Sequence, residues 1–112
     1  MRTAIIIPAR FDSSRLPGKP LIKINGKELI LRVIEKCEKI LSKKDIFVAT
    51  DSKKIFDFVQ NKKYNCIMTN KYNLTGTDRV AEVAMKIKYD IYINVQGDEP
   101  LIEPECIKKI IS

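Results

Sequence analysis

Apolar residues in this chain come in short bursts, and their spacing switches repeatedly between two patterns. Thr3 to Ile7 is a continuous apolar run that stops at Pro8, as a strand covered on both faces does. A polar loop follows from Ala9 to Pro20, broken by Pro17, Gly18 and Pro20, and Asn25-Gly26 marks a turn. Between about Glu28 and Leu41 the apolar residues Leu29, Ile30, Val33, Ile34, Cys37 and Leu41 recur every three or four positions. That spacing predicts an amphipathic helix.

The alternation then repeats. Asp45 to Ala49 reads as a strand, and Asp51 is placed to cap a helix carrying Ile55, Phe58 and Val59. Asn65 to Met68 is a further short strand. Thr75 to Thr77 precede a helix with Val80, Ala81, Val83, Ala84 and Ile87, and Ile91 to Val95 returns to a β-branched apolar strand. A last helix is predicted from Pro104, burying Ile107, Ile110 and Ile111. Strands alternating with helices imply right-handed crossovers and an α/β fold, a mostly parallel sheet with helices on both faces. Residues 1–112 make a single domain with no linker and no repeat. Ligands of such sheets bind beyond the carboxyl ends of the strands. The loops after Ile7, Met68 and Val95 are therefore where chemistry is expected.

The first of these loops brings Arg10, Arg15 and Lys19 together within a few residues, with Ser13 and Ser14 between them. Arginine offers a planar fork for phosphate oxygens and lysine a point charge. Three cations in one connection repel unless an anion lies among them. On composition alone, phosphate binding and a solvated basic loop both stand. Gly18-Lys19 departs from a P-loop because Pro20 replaces the metal-holding Ser/Thr, and no dinucleotide fingerprint occurs. The loop after Val95 reads Gln96-Gly97-Asp98-Glu99-Pro100. One aspartate can begin a site for a hard cation completed by phosphates and water, although carboxylates in turns are often only solvated. Thr75-Gly76-Thr77-Asp78-Arg79 at a helix entrance offers free amide donors, or simple capping.

The net charge of +7 raises nucleic acid as a partner. Its excess is lysine spread over helix faces, at Lys36, Lys39, Lys43, Lys44, Lys53, Lys54, Lys62, Lys63, Lys86, Lys88, Lys108 and Lys109. With 7% aromatics, none interleaved as stacking platforms, no nucleic-acid surface is expected. Cys37, Cys66 and Cys106 are widely spaced, and without histidine they make no zinc set; they read as buried thiols suited to a reducing compartment. The N-terminal run is too short for a signal peptide and no stretch could span a membrane, so a cytoplasmic protein is expected.

The first loop, Pro8-Ala9-Arg10-Phe11-x-Ser13-x-Arg15-Leu16-Pro17-Gly18-Lys19-Pro20-Leu21, resembles the signature of the nucleotidyltransferases that activate sugars. In its wording it is similar to the 3-deoxy-manno-octulosonate (Kdo) cytidylyltransferase family; sialic-acid activating relatives carry a Gly-Gly-Ser-Lys type loop instead. Gln96-Gly97-Asp98-Glu99-Pro100 resembles the second hallmark of the same family. The resemblance implies a Rossmann-like nucleotide-diphospho-sugar transferase fold, CTP and Kdo as substrates, Mg²⁺ as cofactor and a place in lipopolysaccharide synthesis. It implies Arg10 and Lys19 on the CTP phosphates and Asp98 as the metal ligand, the three forming the catalytic set. Pro8, Ala9, Ser13 and Arg15 would shape the nucleotide loop, and Gln96 would lie near the nucleotide or the sugar acid. Met68-Thr69, with Thr75, Gly76, Thr77 and Arg79, would lie by cytosine and ribose. Here Thr75 stands for the family's serine and Asp78 for its glutamate.

Val48-Ala49-Thr50-Asp51 also matches a family strand ending. The family continues well beyond this length, adding a second metal-binding aspartate, a sugar-acid pocket and homodimer contacts. The chain is accordingly expected to be a truncated front half that binds CTP weakly and does not turn over. A cytidylyltransferase for another acidic sugar, a uridylyl- or guanylyltransferase, and a non-catalytic nucleotide-binding module are the alternatives.

Overall fold

In the computed structural model, residues 2–10, 19–69 and 76–95 are described. Strand β1 (Thr3–Pro8) lies inside a four-stranded parallel sheet, flanked by β4 (Ile46–Thr50) on one side and β6 (Ile91–Asn94) on the other, with β5 (Asn65–Met68) beyond β4. Helices α1 (Leu29–Cys37) and α2 (Lys53–Asn61) make the crossovers β1 to β4 and β4 to β5, and α3 (Gly76–Lys86) leads from β5 back across to β6. Parallel crossovers are right-handed. Moving outward twice and then back past β1 therefore puts α3 on the opposite face from α1 and α2.

The side chains divide along the pleat as this requires. Ile5, Ile7, Val48, Cys66 and Ile93 pack under Ile30, Val33, Ile34, Cys37, Ile55 and Val59 of α1 and α2. Ala4, Ile6 and Ala49 face the other way, against Val83 of α3 with Phe47, Ile67 and Tyr92 around them. A strand that must bury both its faces has no room for polar alternation, which is why β1 reads as an unbroken apolar run. Pro8 sits at the last position of this central strand. The strand runs out there, so the missing N–H costs little ladder.

Several local features differ from expectation. The Asn25-Gly26 turn joins a small antiparallel hairpin, β2 (Lys23–Ile24) with β3 (Lys27–Glu28). Asn25 (φ 52°) and Gly26 (φ 82°) both take left-handed backbone, the pairing that a two-residue hairpin turn needs. Arg32 of α1 clamps this turn by donating to the carbonyls of Ile24 and Asn25. Helix α1 ends at Cys37 rather than near Leu41: the amides of Ile40 and Leu41 both bond the Cys37 carbonyl in a closing turn. Ile40 and Leu41 still pack on the core, so the apolar spacing outlasts the helix. The cap of α2 is Ser52, whose Oγ accepts from the Ile55 amide at 3.3 Å; Asp51 is not the cap. The helix expected from Pro104, and Cys106, lie outside the described residues. No described helix is long and apolar enough to cross a membrane.

Cys37 and Cys66 are buried free thiols, and burial pushes each thiol up to about 12 from an ordinary 9.0. A raised folded pKa contributes stability below the unfolded value and loses it as pH rises toward the folded one. Stability should therefore fall between about pH 9 and pH 12, and less steeply in Cys37→Ala, read by denaturant melts across that range. At pH 8 a thiol reagent should leave both cysteines unmodified in the folded chain, as peptide mass mapping would show.

Candidate nucleotide site at the carboxyl edge of the sheet

The chain moves from β1 toward β4 and β5 on one side and toward β6 on the other. The point between β1 and β6 is thus where strand order reverses, and loops leaving there open a crevice. Hydrogen bonds carry the ladder beyond the strands at that edge: the Ala9 amide reaches the Ala49 carbonyl (2.9 Å), the Val95 amide reaches Ile6 (3.0 Å), and the Thr69 amide reaches Thr50 (2.8 Å). Four chain segments consequently emerge side by side, in the order Thr69, Thr50-Asp51, Ala9-Arg10, Val95.

Pro8, Ala9, Arg10, Met68, Thr69 and Arg79 of the expected site fall along this edge. Pro8 and Ala9 are buried under it, and Arg10 is exposed where the loop departs. Lys19 resumes the described chain in a short 3-10 turn, Lys19–Leu21, packed beside α1. Met68 is exposed at the end of β5, and Thr69 is buried at 8% exposure. Gly76 and Thr77 start α3. Ser13, Arg15, Thr75, Gln96 and Asp98 lie outside the described residues, as do the side chains of Lys19 and Thr77.

Arg79 differs most from a residue simply lining a site. Its side chain is wholly buried, at 0% exposure. Nη1 donates to the Thr69 hydroxyl, and Nη2 lies 3.7 Å from Asp51 Oδ2, an ion pair longer than a hydrogen bond. Among the described residues, Nε and Nη2 have no hydrogen-bond partner. Burial lowers the guanidinium below its ordinary pKa; Asp51 opposes that effect, and the positive field of Arg10 adds to it. Arg10 and Arg79 are thus close enough to repel, and the carboxylates of Asp51 and, more weakly, Glu82 offset the buried Arg79 charge. Sequence reading missed this role for Asp51. One available signal was Arg79 standing four residues before Val83, on the buried side of α3.

Among the described residues no group of three carboxylate, cysteine or histidine side chains could hold a metal. Asp51 is engaged by Arg79. A hard cation at this edge would need a carboxylate from outside the described residues, with phosphate and water oxygens for the rest. A separate concavity at the opposite, amino edge is lined by Arg2, Asp45 and Tyr89 among others. Its polar groups already satisfy one another: the Arg2 guanidinium stacks 4.4 Å over the Tyr89 ring, and the Tyr89 hydroxyl donates to Asp45 at 2.8 Å.

A doubly covered parallel sheet with Arg10 and Arg79 along its carboxyl edge defines a doubly wound α/β protein. The model of a family described as cytidylyltransferase matches residues 4–112, and the chain belongs to that family. It is 44% identical over 110 residues to a 3-deoxy-manno-octulosonate cytidylyltransferase of Escherichia coli, covering 98% of this chain and 45% of that protein. To the protein of the same name from Geobacter metallireducens it is 45% identical over 112 residues, covering 100% and 44%. The chain thus spans less than half the length of these relatives. A solved structure of CMP:2-keto-3-deoxy-manno-octonic acid synthetase complexed with CTP superimposes with a TM-score of 0.94 at 43% identity, over 99% of this chain and 46% of that one. A cytidylyltransferase from Leptospira borgpetersenii, 22% identical with a TM-score of 0.85, shares the fold.

If Ser52 rather than Asp51 caps α2, Ser52→Ala should lower stability by about 0.5–2 kcal/mol in urea denaturation. Nucleotide binding by that variant should be unchanged.

Proposed function

We propose that this chain is the nucleotide-binding part of an enzyme that transfers CMP from CTP to Kdo and releases pyrophosphate. The observation that carries the reading is the parallel pairing of β1 with β6 at the switch point. It brings the departing Arg10 segment and Val95 to one edge, in a chain of the cytidylyltransferase family. The names of the relatives supply the sugar acid and the nucleotide.

In this reading the anomeric hydroxyl of the sugar attacks the α-phosphorus, and the bond to pyrophosphate breaks. No enzyme nucleophile is needed, so catalysis rests on position and on neutralising charge. Arg10 and Lys19 hold the phosphates and offset charge on the departing pyrophosphate. Asp98 would hold Mg²⁺, which would supply positive charge to offset that of the phosphates. In this reading Arg15 and Ser13 shape the loop, Gln96 lies toward the nucleotide or the sugar acid, and Met68, Thr69, Thr75, Gly76, Thr77 and Arg79 lie toward base and ribose. The same reading makes the parent protein a cytoplasmic homodimer.

The test is calorimetric titration of CTP with and without Mg²⁺, repeated for Arg10→Ala, Lys19→Ala and Asp98→Ala. Each of the two cation variants should weaken binding at least about tenfold, roughly 1.4 kcal/mol. Asp98→Ala should abolish the dependence on Mg²⁺. Affinity indifferent to all three substitutions, or a preference for GTP, would overturn the assignment.

A further inference from the structure

We propose that Arg32 is a positioning residue for Lys19: by tying the turn of the β2-β3 hairpin to α1, it fixes the end of the loop from which Lys19 reaches the triphosphate. The proposal rests on the nucleotide reading above and adds to it a residue that lies in none of the loop motifs.

Lys19 opens the short 3-10 turn Lys19–Leu21, and a single residue, Ile22, separates that turn from β2. The chain then leaves the body of the protein: Leu21 still packs on the core, whereas Ile22 to Gly26 are all exposed. It returns at Leu29, whose amide donates to the Ile22 carbonyl at 2.9 Å. A hairpin with two residues in each strand is marginal by itself, and no buried side chain holds its tip. Its place is therefore set by what ties it to α1.

Two side-chain ties join hairpin and helix among the described residues. Lys27 and Glu35 pair at 2.7 Å, but both are exposed, and such pairs contribute little. Arg32, the fourth residue of α1, makes the stronger tie. Its Nε donates to the Ile24 carbonyl at 3.0 Å, and its Nη2 donates to the carbonyls of Ile24 and of Asn25, the latter at 3.2 Å. One cation thus holds two successive carbonyls of the turn, and charged donors bond more strongly than neutral ones. Helix α1 is itself immobilised, because Leu29, Ile30, Val33 and Ile34 are buried against the sheet. Arg32 passes the rigidity of that core to the hairpin, and the hairpin passes it to the 3-10 turn behind it. At the loop's other end the Ala9 amide is held by the Ala49 carbonyl at 2.9 Å. With both ends fixed, the loop has a defined span for its cations. Misplacing such a charge by about 1 Å can cost as much as about 100-fold.

The experiment is calorimetric titration of CTP and of CMP for the parent sequence, Arg32→Ala, Lys19→Ala and the double variant. Arg32→Ala should weaken CTP by about fivefold or more. It should leave CMP, which lacks the pyrophosphate portion, within about twofold. In the Lys19→Ala background the same substitution should cost CTP no more than about twofold further, because its effect runs through Lys19. Gly26→Val strains the turn by another route, since Gly26 has φ 82° and open space where a side chain would stand. It should repeat the CTP-selective loss, and it decides the matter if Arg32→Ala does not fold. Arg32→Ala binding CTP as the parent does, weakening CTP and CMP alike, or adding its full loss to that of Lys19→Ala overturns the proposal and leaves nucleotide binding standing. A parent chain that binds neither nucleotide overturns the nucleotide reading itself.

Discussion

The backbone of β1 is hydrogen-bonded on both sides, to β4 and to β6, and the rest of the molecule follows from that constraint. A strand with neighbours on both edges and helices over both faces has no contact with water, so its middle has to be apolar throughout. Ala4, Ile5, Ile6 and Ile7 are all at 0% exposure. The same pairing makes β1 the place where the order of the sheet reverses. The two loops richest in charged chemistry flank that reversal because the strands they leave are adjacent.

Electrostatics at this edge is unbalanced in a way that suits an anionic ligand. Arg10 is exposed and Arg79 is buried nearby, each raising the energy of the other. Asp51, itself partly exposed, pairs with Arg79, and Glu82 adds a weaker favourable field. In a low-dielectric setting an incompletely satisfied guanidinium is unfavourable, and a bound phosphate or base carbonyl would relieve part of that strain. The amino edge shows the contrast: there Arg2, Tyr89, Asp45 and Tyr92 complete one another's contacts, and the cluster joins β1 to the segment before β6.

Away from the edge, the remaining polar contacts tie the layers together. The Tyr64 hydroxyl donates to Glu38 at 2.6 Å, joining the start of β5 to the end of α1, and this bond raises the tyrosine pKa to about 12. Lys27 and Glu35 join the β2-β3 hairpin to α1 at 2.7 Å. The described lysines of that set lie on surfaces: Lys39, Lys53, Lys62 and Lys86 are exposed and Lys36 is half-buried.

By itself the sequence determined the four strands of the parallel sheet and helices α1, α2 and α3, because unbroken apolar runs and a 3.6-residue apolar period are properties of neighbouring positions. It also marked the two loop motifs, through residues whose chemistry is local to a dozen positions. The early end of α1 escaped it because Ile40 and Leu41 stay apolar in a turn that packs on the same core. Only the tertiary structure decided that Ser52 caps α2, leaving Asp51 for Arg79, and that Arg79 reaches Thr69 ten residues back. Those pairings join the ends of β4 and β5 to the side of α3, and no pattern along the chain encodes which side chains a crossover will bring face to face.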